Sequence, residues 1–218
     1  MPQNKDLKRL VRARMAETGE SYTQALAHLQ GEIALEPLPP AWHMTGGRAL
    51  DYEAGLLPGV DYDGHRVARL RLRPAVSEPA VSEPAVPESS GFGAIVQTIA
   101  TARYRGHRVR FSAMLRATGV TDWAGLWMRV DGPGGVLEFD NMQDRALSGT
   151  TDWTEAAIVL DVPEEAKVLL FGALLSRAGA IDLTRLQFEE ADQAVPTAMT
   201  TVTALPDEPQ ALDFTVVP

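Results

Sequence analysis

The chain has 218 residues, a formal net charge of −9 and no cysteine. The lack of thiols excludes disulfides, thiolate metal sites and a cysteine nucleophile. The excess of carboxylates disfavours passive adhesion to nucleic acid or to an acidic membrane surface. Residues 1–5 lack the apolar stretch of a secretion signal, and no later run is long enough to cross a bilayer, so we expect a cytoplasmic protein without membrane contact.

Residues 1–36 predict a helical hairpin. Apolar residues recur at intervals of three and four in 5–16, with basic residues between them, as in an amphipathic helix: Leu7, Leu10, Val11 and Met15. Gly19 suits the left-handed turn that ends a helix. Ser21 and Gln24 form the capping-box pattern that begins a second helix. A hairpin of about thirty residues buries too little apolar surface to fold alone.

The hairpin raises the question of what it binds. Residues 1–20 hold five basic and three acidic residues, a charge of +2, which leaves −11 on the remainder. The basic helix, turn and second helix resemble the helical half of ribbon-helix-helix regulators, but only residues 1–4 precede the first helix, so the DNA-reading strand is missing. We expect residues 5–30 to bind a protein partner or a second copy of the chain. The alternative is salt-sensitive contact with nucleic-acid phosphates through Lys5, Lys8, Arg9 and Arg12.

Residues 37–192 predict a mainly β domain, an antiparallel sandwich. Apolar and basic residues alternate in 68–73, and short strands separated by turn residues follow in 94–100, 108–117, 125–131, 136–140, 156–162, 167–175 and 181–189. The 168–175 strand is apolar on both faces and should be central. Proline-rich repeats in 74–90 predict a flexible loop inside this domain. Residues 193–218 form a tail with room for one edge strand.

The segment 104–153 is the most informative, since it holds three of the four tryptophans. In 126–131 one face carries Leu, Met and Val, and the other carries Trp127, Arg129 and Asp131. An indole, a guanidinium and a carboxylate in line suit a flat, polar ligand. The same pattern fits a buried tryptophan beside a strand salt bridge, because period two does not say which face lies inside.

Four further residues are candidates for ligand binding: Gln97, Asp140, Gln143 and Arg145. Gln97 lies on an earlier strand, and the other three follow the 136–140 strand in an acceptor-rich stretch. The alternative for that stretch is a turn in which carboxylate and amide groups cap backbone amides.

Catalysis and metal binding are weaker hypotheses. Asp131, Asp140 and Asp144 are candidates for the paired carboxylates of a glycoside hydrolase or another hydrolytic enzyme. The sequence lacks a serine nucleophile elbow, a phosphate-binding loop and a dinucleotide fingerprint. No cofactor is predicted, although a structural calcium ion is conceivable at Asp51, Glu53 and Asp182.

The order of turns and strands in residues 42–190 resembles the galactose-binding-like jelly roll of carbohydrate-binding modules. The motifs that carry the resemblance are Gly-Phe-Gly at 91–93 before Gln97, Tyr-Arg-Gly at 104–106, Trp-Met-Arg-Val-Asp at 127–131, Phe-Asp-Asn-Met at 139–142, Gly-Thr-Thr-Asp-Trp at 149–153, Val-Leu-Asp-Val-Pro at 159–163, Phe-Gly at 171–172 and the strand at 182–189. The segment is also similar to an uncharacterised bacterial domain that is sometimes attached to transcriptional regulators.

The resemblance implies a non-catalytic sandwich that binds a small polar or glycan-like ligand, with Gln97, Trp127 and Arg129 on or near its concave face. A transcriptional regulator with a DNA-contacting hairpin and a sensing sandwich is the first alternative. An enzyme using sandwich carboxylates is the second. Fold alone does not decide among them.

Overall fold

The structure is a computed structural model that describes residues 3–19, 34–73 and 91–197, together with residues 21, 22, 25, 26 and 29. The predicted flexible loop 74–90 and the end of the predicted tail, 198–218, lie outside the described residues.

Helix α1 spans Gln3–Thr18, in agreement with the predicted first helix. Gly19 follows it with a φ of 73° and donates its N–H to the carbonyl of Met15 at 3.0 Å, so it ends the helix as expected. The second predicted helix falls largely outside the described residues. One helical hydrogen bond, from Ala25 N–H to the carbonyl of Ser21 at 2.9 Å, lies within its range. The hairpin as a whole is therefore not confirmed. In the part of the chain that the structure describes, no helix is long and apolar enough to cross a membrane.

Eleven strands follow in the described residues: β1 Trp42–Thr45, β2 Tyr52–Tyr62, β3 His65–Leu72, β4 Phe92–Ala100, β5 Arg108–Thr118, β6 Val120–Gly132, β7 Gly135–Asp140, β8 Leu147–Gly149, β9 Thr154–Asp161, β10 Val168–Ser176 and β11 Ala180–Ala191. A five-stranded sheet has the order β2-β3-β11-β5-β9. A six-stranded sheet has the order β1-β4-β10-β6-β7, with β8 beside β6. All pairs within both sheets are antiparallel, which confirms the predicted antiparallel sandwich.

Every strand predicted between residues 68 and 189 has a counterpart, and β10 is central as predicted, between β4 and β6. The edge strand considered for the tail lies outside the described residues. Three strands were not predicted: β1, β2 and β8. Strand β2 contains Pro58 and Gly59, residues that usually interrupt a strand, and its pairing with β3 shifts register between Leu56 and Asp61. The chain keeps the strand by placing these two residues in a bulge.

The main core lies between the sheets. From β6 it receives Leu126, Met128 and Val130, all fully buried, and from the neighbouring β10 it receives Leu169 and Phe171. Because side chains alternate along a strand, the residues between these point to the outer face of the six-stranded sheet. That parity places Trp127, Arg129 and Asp131 outside the main core.

Candidate functional site

The outer face of the six-stranded sheet carries a second, smaller apolar cluster centred on Trp127. On neighbouring strands, Trp127 lies opposite Gly172, and Gly172 lies opposite Val96. The indole is 8% exposed, and the cluster consists of Ala94, Val96, Trp127 and Leu174, with Trp123 and Leu170 packed against it. The tryptophan is therefore on the outer face, as the ligand-face hypothesis requires, yet its ring is largely covered by its neighbours.

Arg129 and Asp131 continue the same face along β6. Nη2 of Arg129 donates to Oδ2 of Asp131 at 2.8 Å, and the two side chains are 37% and 25% exposed. Arg129 lies opposite Leu170 on one side and Phe139 on the other, and Phe139 is 46% exposed. A neutral ion pair thus sits between apolar side chains on an accessible part of the sheet.

Three buried polar atoms on this face have no hydrogen-bond partner among the described residues: Nε1 of Trp127, Nε of Arg129 and Oδ1 of Asp131. A buried polar group without a partner costs about 1–3 kcal/mol. Folded proteins therefore pair nearly all such groups with protein, water or ligand. Two donors and one acceptor aligned on one strand face are the clearest chemical feature of this surface.

Gln97 does not join this face. It lies opposite Trp42 and Phe171, and both of those residues pack toward the main core. Ala94 and Val96, on the same strand, belong to the outer cluster, so Gln97 has the opposite parity. The expectation that Gln97 lies beside Trp127 and Arg129 therefore fails in this geometry. The sequence of β4 alone did not reveal which of its residues share a face of the sheet with Trp127.

Asp140 and Arg145 form a clasp, an ion pair between a buried carboxylate and a half-buried guanidinium, on the inner side of the six-stranded sheet. Asp140 is fully buried, lies opposite the inward-facing Met128, and accepts hydrogen bonds from the Met142 amide at 2.8 Å and from Nη2 of Arg145 at 2.5 Å. Arg145 also donates to the carbonyl of Ala157 on β9, at 3.4 Å. Burial alone would lower the pKa of Arg145, but the Asp140 and Asp144 carboxylates outweigh it and raise that pKa.

The turn interpretation of 140–145 therefore describes the observed contacts, and the clasp connects the two sheets. Gln143 is exposed in a short 3-10 turn between Asp140 and Arg145. Asp131 and Asp140 point to opposite faces of the same sheet, so these two carboxylates do not flank a common space. The three carboxylates considered for calcium each pair with arginine instead: Asp51 with Arg48, Glu53 with Arg71, and Asp182 with Arg69 and Arg116. Within the described residues, no group of three metal-ligating side chains occurs.

The outer face of the five-stranded sheet holds a charged cluster that the sequence did not reveal. Asp182 is 1% exposed and accepts two hydrogen bonds from Arg69, at 2.6 and 2.8 Å, and two from Arg116, at 3.1 and 2.6 Å. The guanidinium of Arg116 also lies 4.6 Å from the ring centre of Trp153, a cation–π contact. Alternation in 68–73 indicated a basic strand face, but it gave no sign of the acid that bridges it.

The β2–β3 hairpin covers this charged cluster. Strands β2 and β9 are at opposite edges of the sheet. Even so, the ring centres of Tyr62, at the end of β2, and Trp153, just before β9, are 4.8 Å apart. Asp63 in the hairpin turn pairs with Arg185 at 3.6 Å, and the Thr184 hydroxyl donates to the carbonyl of Arg66 at 2.8 Å. The hairpin therefore reaches across the outer face, which explains how charges on that face become buried.

Of the predicted nucleic-acid contacts, Lys8, Arg9 and Arg12 are exposed on helix α1. The side chain of Lys5 lies outside the described residues.

No family model matches the chain. Among curated proteins, the chain is similar to the uncharacterized HTH-type transcriptional regulator YbfP of Bacillus subtilis (strain 168), with 34% identity over 185 residues. The match covers 84% of this chain and 59% of that regulator, so the chain spans less than two thirds of its length. A regulator is thus among the relatives, in line with the resemblance predicted from the sequence.

Solved structures similar to this chain include carbohydrate-binding modules. The CBM22-1 xylan-binding domain of Paenibacillus barcinonensis has a TM-score of 0.48 and 14% identity, covering 73% of this chain and 91% of that domain. The C-terminal family 22 carbohydrate binding module of a Clostridium thermocellum xylanase has a TM-score of 0.48 and 11% identity, with the same coverage of 73% and 91%. The sandwich described above rests on the strand pairing of this chain itself.

Proposed function

We propose that this sandwich binds a small polar or glycan-like ligand, without chemical turnover, on the outer face of its six-stranded sheet. The observation that carries the proposal is the partly exposed Arg129–Asp131 pair on this face, in which Nε of Arg129 and Oδ1 of Asp131, like Nε1 of the neighbouring Trp127, have no hydrogen-bond partner among the described residues. The three residues share one face of β6, and Arg129 lies opposite the partly exposed Phe139 on β7. Several strands that follow one another in the chain lie in different sheets, as β4, β5 and β6 do, and this alternation supports a jelly-roll form for the sandwich.

The chemistry of the three atoms favours a hydroxylated ligand. Nε1 of Trp127 and Nε of Arg129 donate, whereas Oδ1 of Asp131 accepts, and a hydroxyl group can do both. The Arg129–Asp131 pair has no net charge, so it favours an uncharged ligand. The accessible ring of Phe139 offers the flat apolar surface on which a sugar ring packs. Gln97, Asp140 and Arg145 lie away from this face. They and Gln143 are not part of the proposed site.

A panel of neutral oligosaccharides, including xylohexaose and cellohexaose, tests the site by calorimetry and thermal melting. We expect Arg129→Met to weaken binding by about tenfold to a hundredfold, since a hydrogen bond to a charged group contributes about 1.5–3 kcal/mol. Trp127→Phe keeps an aromatic ring but removes Nε1–H, and should weaken binding by a smaller factor. At the same concentration, the ligand should raise the melting temperature of the wild type by more than that of Arg129→Met.

Arg103→Gln is the matched control, because Arg103 is an exposed arginine outside the β6 face. It should leave both oligosaccharide affinity and melting temperature unchanged. Oligosaccharide binding that survives both Arg129→Met and Trp127→Phe would place the ligand elsewhere. Failure of every oligosaccharide in the panel to bind would remove the glycan-like part of the proposal.

A second candidate function is sensing within a transcriptional regulator. The observation that favours it is the similarity to the HTH-type regulator of Bacillus subtilis. The exposed basic residues on α1 give this candidate a route to DNA, although the acidic remainder of the chain opposes it.

Retention of the protein on a DNA affinity column, loaded at low salt, tests this candidate. If α1 contacts phosphates, the double variant Lys8→Gln/Arg12→Gln should elute at lower salt than the wild type. The slope of its log affinity against log salt should be shallower by about two. The single variant Arg103→Gln provides a control for the loss of a surface charge. Identical elution of all three proteins would exclude a DNA-binding role for α1.

A further inference from the structure

A cleft of about 540 Å³ opens at one side of the sandwich, away from the face that bears Trp127. It lies where β1, an edge strand of one sheet, approaches β2, an edge strand of the other. Its volume is in the range of sites that bind small molecules. Most of its lining is apolar, and the lining residues are Ala34, Leu35, Met44, Ala49, Leu50, Tyr52, Glu53, Ala54 and Arg73.

One wall of the cleft is a loop that holds Leu50 in solvent. Leu50 is 90% exposed, although full burial of a leucine side chain is worth about 1.5–3 kcal/mol. The loop is fixed on both sides: the Arg73 amide donates to the carbonyl of Asp51 at 2.8 Å, and the Arg48 amide donates to the carbonyl of Phe92 at 3.2 Å. A tethered loop that presents a leucine beside an apolar cleft is suited to cover an apolar ligand.

Arg73 gives the cleft a cationic end. Its Nε donates to the carbonyls of Leu50 and Tyr52, both at 3.0 Å, which fixes the guanidinium plane against the same loop. Its Nη1 lies 3.9 Å from Glu53, and Glu53 is already held by Arg71 at 2.6 Å. Glu53 is thus held more closely by Arg71 than by Arg73, and the Arg73 side chain is 57% exposed. The outer nitrogens of Arg73 are therefore placed to receive an anionic oxygen.

We propose that this cleft binds an amphipathic molecule that has one carboxylate head and an apolar body. The body lies against Leu50, Leu35 and Met44, and the carboxylate pairs with the guanidinium of Arg73. The site is separate from the proposed glycan face, since none of its residues belongs to β6 or β10. It gives the protein a second class of ligand, distinguished by charge and by hydrophobicity.

Decanoate and decyltrimethylammonium, two chains of equal length and opposite charge, test the proposal on the full protein by isothermal titration calorimetry. Decanoate should bind more tightly than decyltrimethylammonium. Leu50→Ser should weaken decanoate binding by about tenfold or more, the loss expected when a leucine contact is removed. Because Leu50 is exposed, this variant should melt at the wild-type temperature. Arg73→Gln should abolish the preference for decanoate, and Arg73→Lys should keep it.

Leu186→Ser is the control, because Leu186 is also a partly exposed leucine but lies on β11, away from the cleft. It should bind decanoate as the wild type does. Equal affinity for the two probes, or decanoate binding that Leu50→Ser leaves intact, overturns the proposal. So does equal weakening by Leu50→Ser and Leu186→Ser, because that result would indicate adsorption on exposed apolar side chains in general.

Discussion

Asp182→Ala is expected to destabilise the protein by about 3–5 kcal/mol, because it leaves two arginines without their shared carboxylate. Asp182 is 1% exposed, and it accepts hydrogen bonds from both Arg69 and Arg116. Arg69 is nearly as buried, with a side chain 3% exposed, so water cannot replace the missing partner without opening the structure. The β2–β3 hairpin, which lies over the cluster, should loosen as a consequence.

Urea denaturation monitored by tryptophan fluorescence measures this loss, and Asp63→Asn is the control. Asp63 pairs with Arg185 at 3.6 Å, but the two side chains are 75% and 43% exposed, so that pair contributes only about 0–1 kcal/mol. Asp182→Asn retains the shape of the side chain but not its charge. Its loss of stability should fall between those of Asp182→Ala and Asp63→Asn. A loss below about 1 kcal/mol for Asp182→Ala would contradict the assignment of a buried, coupled cluster.

Gly172→Ala should destabilise the protein by about 3 kcal/mol or more, through overpacking at a site that cannot yield. A Cβ added at Gly172 would lie 1.9 Å from the backbone oxygen of Ile95 and 3.1 Å from Cα of Val96. Strand β10 is central, with β4 and β6 paired on either side, so the backbone has no free direction in which to move. The expected result is a large fall in the urea midpoint, or a failure to accumulate folded protein.

Gly134→Ala is the matched control for this substitution. Gly134 lies in the turn between β6 and β7, and a Cβ there would meet nothing within 4 Å. The free energy of unfolding of Gly134→Ala should stay within about 1 kcal/mol of the wild-type value. A small gain in stability is expected if the alanine restricts the unfolded chain. Equal effects at the two positions would show that the close approach of β10 to β4 is not rigid.

The sequence by itself determined the class of fold and the grouping of residues within each strand. Alternation assigned Trp127, Arg129 and Asp131 to one face of β6, because side chains of a strand leave opposite faces in turn. Together with turn residues and one apolar run, it predicted every strand from residue 68 onward except β8. The proline and glycine of β2 concealed that strand, since a bulge, which only the folded sheet reveals, accommodates both residues.

Only the tertiary structure decided which faces meet. Gln97 shares a sheet with Trp127 but has the opposite parity, and parity between strands depends on register, which period two does not specify. Asp182 lies 113 positions from Arg69, and Tyr62 approaches Trp153 from the far edge of the sheet. Such contacts arise from the order of strands and from the path of a hairpin across them. A linear pattern carries neither, because it records spacing along the chain and not the pairing of distant segments.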